Sequence, residues 1–167
     1  MQTAIIYYSQ SGNADFVANE IAKHLDADLI RIEPSKAYPD KGFKKFFWGG
    51  KSAVMGESPK LIPYEFDATL YDVIILGYPV WASTFAPPIR SFVEQNFAAL
   101  QQKKVLAFAT SSGGNADKSF QKLAALLKAD SISKTLSLVD PLTKPSEDKN
   151  AQIESFCAQI KEINSAL

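Results

Sequence analysis

The sequence has almost none of the side chains that build disulfides and metal sites. Its 167 residues include a single cysteine, Cys157, and a single histidine, His24. One cysteine excludes an intramolecular disulfide and a cysteine-rich metal centre. Cys157 lies among apolar positions of a predicted helix and His24 lies late in another, so we expect a core thiol and a surface imidazole. We therefore assign no catalytic acid or base and no metal ligand from the sequence.

The chain also lacks an excess of charge and any long apolar run. Eighteen Lys and Arg residues balance eighteen Asp and Glu residues, which gives no electrostatic reason to bind nucleic acid. No apolar stretch of the sequence is long enough to cross a bilayer, so we expect no membrane insertion. The residues after Met1 show neither the basic start nor the cleavage site of a secretory signal. We expect a cytoplasmic protein.

What the sequence does contain is an alternation of short apolar runs with amphipathic stretches. The sequence predicts five strands: Thr3–Tyr8 and Asp72–Gly77 are apolar runs typical of buried strands, Asp28–Ile32 alternates as a strand does, and Lys104–Thr110 and Lys134–Val139 are the fourth and fifth. The amphipathic stretches predict helices over Ala14–Leu25, Pro87–Leu100, Asp117–Leu127 and Glu147–Leu167. This alternation is typical of an α/β fold in which a doubly wound parallel sheet lies between two layers of helices. We expect one domain over residues 1–167.

The long connection from Glu33 to Asp67 interrupts this alternation. Its sequence predicts a helix over Gly42–Met55 that is broken or ended near Gly49 and Gly50, followed by loop. Aromatic residues and lysines share the stretch, at Phe43, Phe46, Phe47, Trp48, Lys36, Lys41, Lys44, Lys45 and Lys51. We interpret these lysines first as a solvated surface.

Polar and small residues follow the first predicted strand, over Ser9–Ala14. In an open parallel sheet, ligands bind beyond the carboxyl ends of the strands. This loop combines a turn-forming Gly12 with hydroxyl and amide donors, at a helix N-terminus that favours an anion. It holds no Lys or Arg, so a bound phosphate would be held by neutral donors. The alternative is an ordinary helix start capped by Ser11 or Asn13.

Two further loops, Gly77–Thr84 and Thr110–Ala116, follow the third and fourth predicted strands. Trp81 in the first of them could lie flat against a planar ligand, or it could pack over the end of the sheet. Gly113 and Gly114 in the second would let the backbone approach a ligand closely, or they could form a flexible surface turn. Each signal is weak alone. Their placement at one edge of one sheet predicts a common site for a phosphorylated planar ligand.

These motifs resemble the flavodoxin family, and the resemblance spans nearly the whole chain. Ser9–Asn13 is similar to the family's Ser-x-Ser/Thr-Gly-Asn phosphate loop, and Pro79–Trp81 with Ala86–Pro88 is similar to a stretch of bacterial members. The resemblance implies a five-stranded sheet of order 2-1-3-4-5, non-covalently bound FMN, and a role in electron transfer. Carried over by position, it implies cofactor-binding residues Ser9, Gln10, Ser11, Gly12, Asn13 and Ala14 around the phosphate, Pro79, Val80, Trp81 and Ala82 along the flavin, and Ser111, Gly113 and Gly114 at its pyrimidine edge.

The chain departs from the family pattern at two places. Ala14 stands where the family usually has Thr or Ser. The stretch Ser111–Lys118 contains no aromatic residue, whereas the family usually places a Tyr there over the second flavin face. Phe46, Phe47 and Trp48 of the long connection are our candidate covers for that face.

Three functions remain open at this point. The first is an electron carrier that serves a redox partner protein, which could dock on the lysines of the long connection. The second is an FMN-dependent NAD(P)H:quinone-type reductase, an oxidoreductase that passes electrons to a small acceptor such as a quinone; those lysines could then contact a phosphorylated nucleotide. The third is a non-enzymatic binding module that has lost its flavin, which Ala14 favours. No acidic residue lies in Tyr78–Thr84 or Ser111–Ala116, so we expect a smaller electrostatic penalty on the reduced, anionic flavin than in acidic carriers.

Other proteins with similar sheets need residues that this chain does not have. A response-regulator receiver needs clustered acids after the first strand and an Asp after the third, where this chain has Ser9-Gln10 and Tyr78-Pro79. A P-loop hydrolase needs Gly-Lys-Ser/Thr after the first strand, and a Rossmann dinucleotide site needs Gly-x-Gly-x-x-Gly there. A cysteine-dependent phosphatase needs its cysteine in that same loop, far from Cys157. The sequence excludes all four classes.

Overall fold

Five parallel strands form the central sheet of this computed structural model, which describes residues 2–39, 42–114 and 116–165. The five parallel strands are β1 (Thr3–Tyr7), β2 (Asp28–Arg31), β3 (Val73–Trp81), β5 (Lys104–Ser111) and β6 (Thr135–Val139), and a sixth, short strand is β4 (Thr84–Phe85). They lie side by side in the order β2-β1-β3-β5-β6, and the short β4 pairs antiparallel with β3. Counted over the five parallel strands this order is 2-1-3-4-5, so the predicted topology is confirmed.

Helices cover both faces of the sheet. They are α1 (Asn13–Leu25), α2 (Gly42–Val54), α3 (Pro87–Leu100), α4 (Asp117–Leu126) and α5 (Glu147–Ser165). Because side chains of a strand alternate between faces, Ile5 of β1 packs with Val17 and Ile153 of α1 and α5, whereas Ile6 packs in the cluster of Phe92 and Leu123 from α3 and α4. Among the described residues, none of the helices has the length and apolar character that crossing a bilayer requires.

The third strand is longer than the sequence predicts. We expected it to end at Gly77, but β3 continues to Trp81 and turns back into β4, with Trp81 paired to Thr84. Glycine and proline usually mark a strand end, yet Pro79 still lies in register with Thr110 of β5. The two turn residues, Ala82 and Ser83, have φ of 48° and 57°. This two-residue hairpin therefore has the left-handed geometry that normally selects glycine or asparagine, and each residue is strained by about 1–2 kcal/mol.

The long connection holds a helix that its glycines do not break. We expected Gly42–Met55 to be interrupted near Gly49 and Gly50, but α2 runs through both to Val54. The base of the connection is closed, because Ile62 N donates to Glu33 O at 2.8 Å and Ser35 N donates to Lys60 O at 2.7 Å. The side chains of Phe46 and Phe47 lie outside the described part of the structure. Closing the base in this way holds the two ends of the connection together beside β2.

Candidate functional site

An open cleft lies at the carboxyl edge of the sheet, where all three predicted loops meet. Its lining residues are Gln10, Ser11 and Asn13 after β1, Pro79, Val80, Trp81 and Ala82 in the hairpin of β3 and β4, Thr110 and Ser111 at the end of β5, Ser112 directly after it, and Gly50 of α2. None of these described residues carries a charged side chain. A ligand in this cleft would be held by hydroxyl, amide and backbone groups and by the indole of Trp81.

Five of the predicted site residues lie behind or beside this lining. Ser9 is buried next to Gln10, which lines the cleft, and Gly12 is the residue that precedes α1. Ala14 packs in the core with Val17, so its backbone alone could contact a ligand. Gly113 and Gly114 are exposed, and a Cβ on either would meet no atom within 4 Å. The structure therefore brings the first and second loops together more completely than the third.

Sequence reasoning missed three of the lining residues. Thr110 and Ser112 flank the predicted Ser111, and their position at the carboxyl end of a strand was the signal that could have found them. Gly50 comes from α2, far away in the sequence, and no local pattern connects it to the cleft.

The predicted phosphate loop, Ser9–Asn13, has a shape that only glycine at position 12 suits. Gly12 has a φ of 90°, and a Cβ there would lie 3.0 Å from Leu142 Cδ2. The expected alternative, a cap by Ser11 or Asn13, is wrong, because Gly12 is the cap residue and it has no side chain. Asn13 Oδ1 instead accepts from Leu142 N at 3.0 Å and fixes the loop to the β6–α5 connection. The first-turn amides of α1 therefore remain available to an anion.

Three buried side-chain oxygens at the cleft have no hydrogen-bond partner in the described part of the protein. They are Ser9 Oγ, Gln10 Oε1 and Ser111 Oγ. A buried polar atom without a partner destabilises a protein by about 1–3 kcal/mol. Gln10 is held in place by its other end, because Nε2 donates to Pro39 O at 2.7 Å. The clustering of these oxygens at two of the predicted loops indicates that a polar ligand completes the site.

The indole of Trp81 is fixed by packing on several sides. Its ring lies edge-on to Tyr38 at 5.1 Å and to Tyr8 at 5.8 Å between centroids. A Cβ on Gly49 would come within 3.2 Å of the indole, so glycine at this position lets α2 approach Trp81. Trp48, also on α2, lines a neighbouring hollow together with Tyr38. The Nζ atom of Lys51 lies 5.4 Å from the centroid of the Trp48 ring. Trp81 is thus already oriented before any ligand arrives.

Buried tyrosines surround the first strand and the sheet edge. Burial, followed by the hydrogen bond to Asp15, raises the pKa of Tyr7 from 10.0 to about 12. Burial also raises the pKa of Tyr8 and of Tyr78. All three phenols are therefore neutral through the physiological pH range.

Stability is expected to fall as the pH rises above 10. Unfolded tyrosines lose their protons near pH 10, whereas folded Tyr7 keeps its proton until about pH 12. The folded chain then binds more protons than the unfolded chain, so the free energy of unfolding decreases across this interval. Urea denaturation at a series of pH values would measure the decline, which Tyr7→Phe should make shallower. An equal decline in both proteins would contradict the assignment.

The comparisons with known proteins identify the family and the fold. The family model described as Flavodoxin matches residues 2–139. The chain belongs to the flavodoxin family. The fold of this flavodoxin is similar to that of a Lactobacillus acidophilus flavoprotein solved in complex with FMN, at 24% identity and a TM-score of 0.72, with 83% of this chain and 93% of that chain covered. The family and the fold predicted from the sequence are both confirmed.

Two other solved structures share the fold, with lower TM-scores. The apo-form of the Lactobacillus acidophilus flavoprotein is 26% identical, with a TM-score of 0.60 over 89% of this flavodoxin and 96% of that chain. Two-electron reduced Megasphaera elsdenii flavodoxin is 18% identical, with a TM-score of 0.53 over 94% and 99%. No curated protein sequence matches this flavodoxin significantly.

Proposed function

We propose that this flavodoxin binds FMN non-covalently in the cleft and carries electrons between redox partners. The observation that carries the proposal is the cluster of unpartnered buried oxygens, Ser9 Oγ, Gln10 Oε1 and Ser111 Oγ, at an uncharged cleft. FMN has the matching parts, a phosphate for the first loop and a ring with polar heteroatoms for the third. Membership of the flavodoxin family and the FMN complex of the Lactobacillus acidophilus flavoprotein support the same cofactor.

No described residue that lines the cleft carries a cationic side chain, so neutral donors would hold the phosphate. Ser11 and Asn13 line the cleft, and Ser9 supplies a buried hydroxyl next to Gln10. The N-terminus of α1 adds amide donors and the positive end of the helix dipole. Ala14 removes one hydroxyl donor that the family usually has, but its buried side chain leaves the amide in place. These hydroxyl, side-chain amide and backbone amide donors are the set that we propose for the phosphate group.

The ring would lie along the hairpin of β3 and β4. Trp81 offers an oriented aromatic surface, and the backbone of Pro79–Ala82 and Thr110–Ser112 offers polar groups to the ring edge. When bound, FMN supplies the chemistry, because it accepts and releases one or two electrons. The lining brings no negative side chain near the ring, so the protein adds little electrostatic penalty to a negatively charged cofactor.

The outer side of the cleft leaves room for an electron-transfer partner. Gly50 places α2 at the cleft, and Trp48, Val54 and Met55 of that region are exposed. Their apolar surface lies among lysines such as Lys51. An acidic partner protein that docks here would come close to the cofactor, which favours the carrier role.

A second candidate function is the NAD(P)H-dependent reduction of a small acceptor such as a quinone. The exposed Ser112, Gly113 and Gly114 favour it, because this side of the cleft has no aromatic cover among the described residues. A small molecule could reach the ring there. Both functions use the same cofactor and differ in the electron donor.

Reduction of the FMN-loaded protein separates the two functions. For a carrier we expect the yellow colour to persist with NADPH alone and to bleach only when a separate flavodoxin reductase is added. Absorbance of the flavin in stopped flow would measure both rates. Rapid bleaching by NADPH alone, followed by reoxidation by a quinone, would contradict the carrier role and establish the reductase.

A further inference from the structure

The guanidinium group of Arg31 reaches both ends of the phosphate loop. Arg31 is the last residue of β2, and its Nη2 donates to the carbonyl oxygen of Ser9 at 3.1 Å. Its Nη1 lies 3.3 Å from Oδ1 of Asp15, in the first turn of α1. Ser9 begins the loop, and Asp15 lies two residues after Asn13, its last residue. One side chain from the neighbouring strand therefore spans the loop.

Two carboxylates pair with Arg31, and one of them, that of Asp15, is also held by the first strand. Tyr7 of β1 donates its hydroxyl to Asp15 Oδ1 at 2.8 Å. Glu33 Oε1 lies 2.5 Å from Arg31 Nε. A guanidinium is planar and has five N–H donors in a rigid fork, so it can donate hydrogen bonds to a carbonyl and two carboxylates at the same time. A lysine ammonium has no such geometry.

Neither folding stability nor attraction of phosphate explains this arrangement well. The side chains of Arg31 and Asp15 are 45% and 37% exposed, and ion pairs this exposed stabilise a fold only slightly. The single positive charge of Arg31 faces the two negative charges of Asp15 and Glu33. Arg31 also lines a groove outside the cleft, with Asp28 and Tyr71. Its distinctive contact is the one to the Ser9 carbonyl.

We propose that Arg31 is a positioning residue that clamps the two ends of the phosphate loop and thereby sets the selectivity for a phosphorylated flavin. The inference rests on the proposed function, since it requires FMN in the cleft. The loop must hold its donors in one geometry around the phosphate, and the clamp fixes the separation of its ends. The ring lies along other residues, so its binding does not depend on Arg31.

The test compares FMN with riboflavin, which has the same ring and no phosphate. Dissociation constants for both flavins would be measured by fluorescence quenching with the wild-type protein, Arg31→Gln and Arg31→Lys. We expect both variants to bind FMN about tenfold more weakly, because the loss of a hydrogen bond from a charged donor has an effect of that size. Their affinity for riboflavin should not change. Arg90→Gln is the matched control, because Arg90 is the chain's other arginine and pairs with Glu94 on α3.

Each outcome decides the proposal. The clamp is supported if both Arg31 variants lose their preference for FMN over riboflavin and Arg90→Gln keeps it. Tyr7→Phe, which removes the hydrogen bond to Asp15, would support the clamp further if it lost part of the preference, less than the Arg31 variants lose. If the Arg31 variants lose affinity for FMN and riboflavin equally, the substitutions disrupt the protein in general and the proposal is overturned. If Arg31→Lys keeps the wild-type preference for FMN over riboflavin, a positive charge is enough and the proposal is also overturned. If both Arg31 variants bind FMN with the wild-type preference over riboflavin, the clamp is ruled out and the proposed function stands. If the wild-type protein binds neither flavin, the proposed function fails as well.

Discussion

Gly77→Ala is expected to lower the free energy of unfolding by about 3 kcal/mol. A Cβ at this position would lie 2.1 Å from Cζ and 2.3 Å from Cε1 of Phe108. Gly77 and Phe108 are register partners on β3 and β5, and Phe108 is completely buried. The ring cannot move aside without disturbing the core between the sheet and its helices. Thermal or urea denaturation would measure the loss.

Gly113→Ala is the matched control for this substitution. A Cβ on Gly113 would meet no atom within 4 Å, so we expect a change of less than about 1 kcal/mol. Combining Gly77→Ala with Phe108→Leu should recover part of the loss, because the smaller side chain relieves the overlap. Equal stability of Gly77→Ala and the wild-type protein would show that the two strands do not pack as described.

Trp81→Ala is expected to weaken FMN binding by roughly tenfold to a hundredfold, the range seen when an aromatic stacking partner is removed. The indole lines the cleft and is held by Tyr8, Tyr38 and Gly49 before the cofactor arrives. Its removal costs both contact area and a preoriented surface. Bound flavin should also become more fluorescent in the variant. A fluorescence titration gives the affinity and the brightness of the bound state in one experiment.

Trp48→Ala provides the comparison within the same protein. The chain has two tryptophans, and Trp48 is 49% exposed at the neighbouring hollow. From this position we expect less than about a twofold change in FMN affinity, since single exposed side chains contribute little. A loss as large as that in Trp81→Ala would instead support our initial hypothesis that Trp48 covers the second flavin face. Unchanged affinity in Trp81→Ala itself would contradict the assigned ring position.

The order of strands and helices could be predicted largely because the central strands, β1, β3 and β5, are buried on both faces, whereas the edge strands β2 and β6 carry exposed residues. Runs such as Thr3–Tyr8 and Lys104–Thr110 are continuously apolar, and this signal is local to the sequence. The errors fall where a residue is explained by a distant contact. Gly77 looks like a strand end but makes room for Phe108, and Gly49 looks like a helix end but makes room for Trp81. Neither partner can be identified from the neighbouring sequence.

In the candidate site, too, the features that the local sequence signals could be predicted, and those that depend on distant contacts could not. Its loops could be placed because they directly follow strands of one sheet, and Gln10, Trp81 and Ser111 all line the cleft. Gly50 could not be predicted, because it reaches the cleft through the packing of α2. Arg31 was also missed, since its role depends on the pairing of β2 with β1 and on a hydrogen bond to a backbone carbonyl.

Titration of the flavin-free protein with FMN tests the central claim most directly. The cleft joins three loops around one uncharged space with unpartnered oxygens, so we predict one FMN per chain, quenched flavin fluorescence, and release of FMN on denaturation. Riboflavin should bind more weakly, because it leaves the donors of the phosphate loop without an anion. A protein that stays colourless in excess FMN, with no change in flavin fluorescence, would contradict the assigned cofactor and the function built on it.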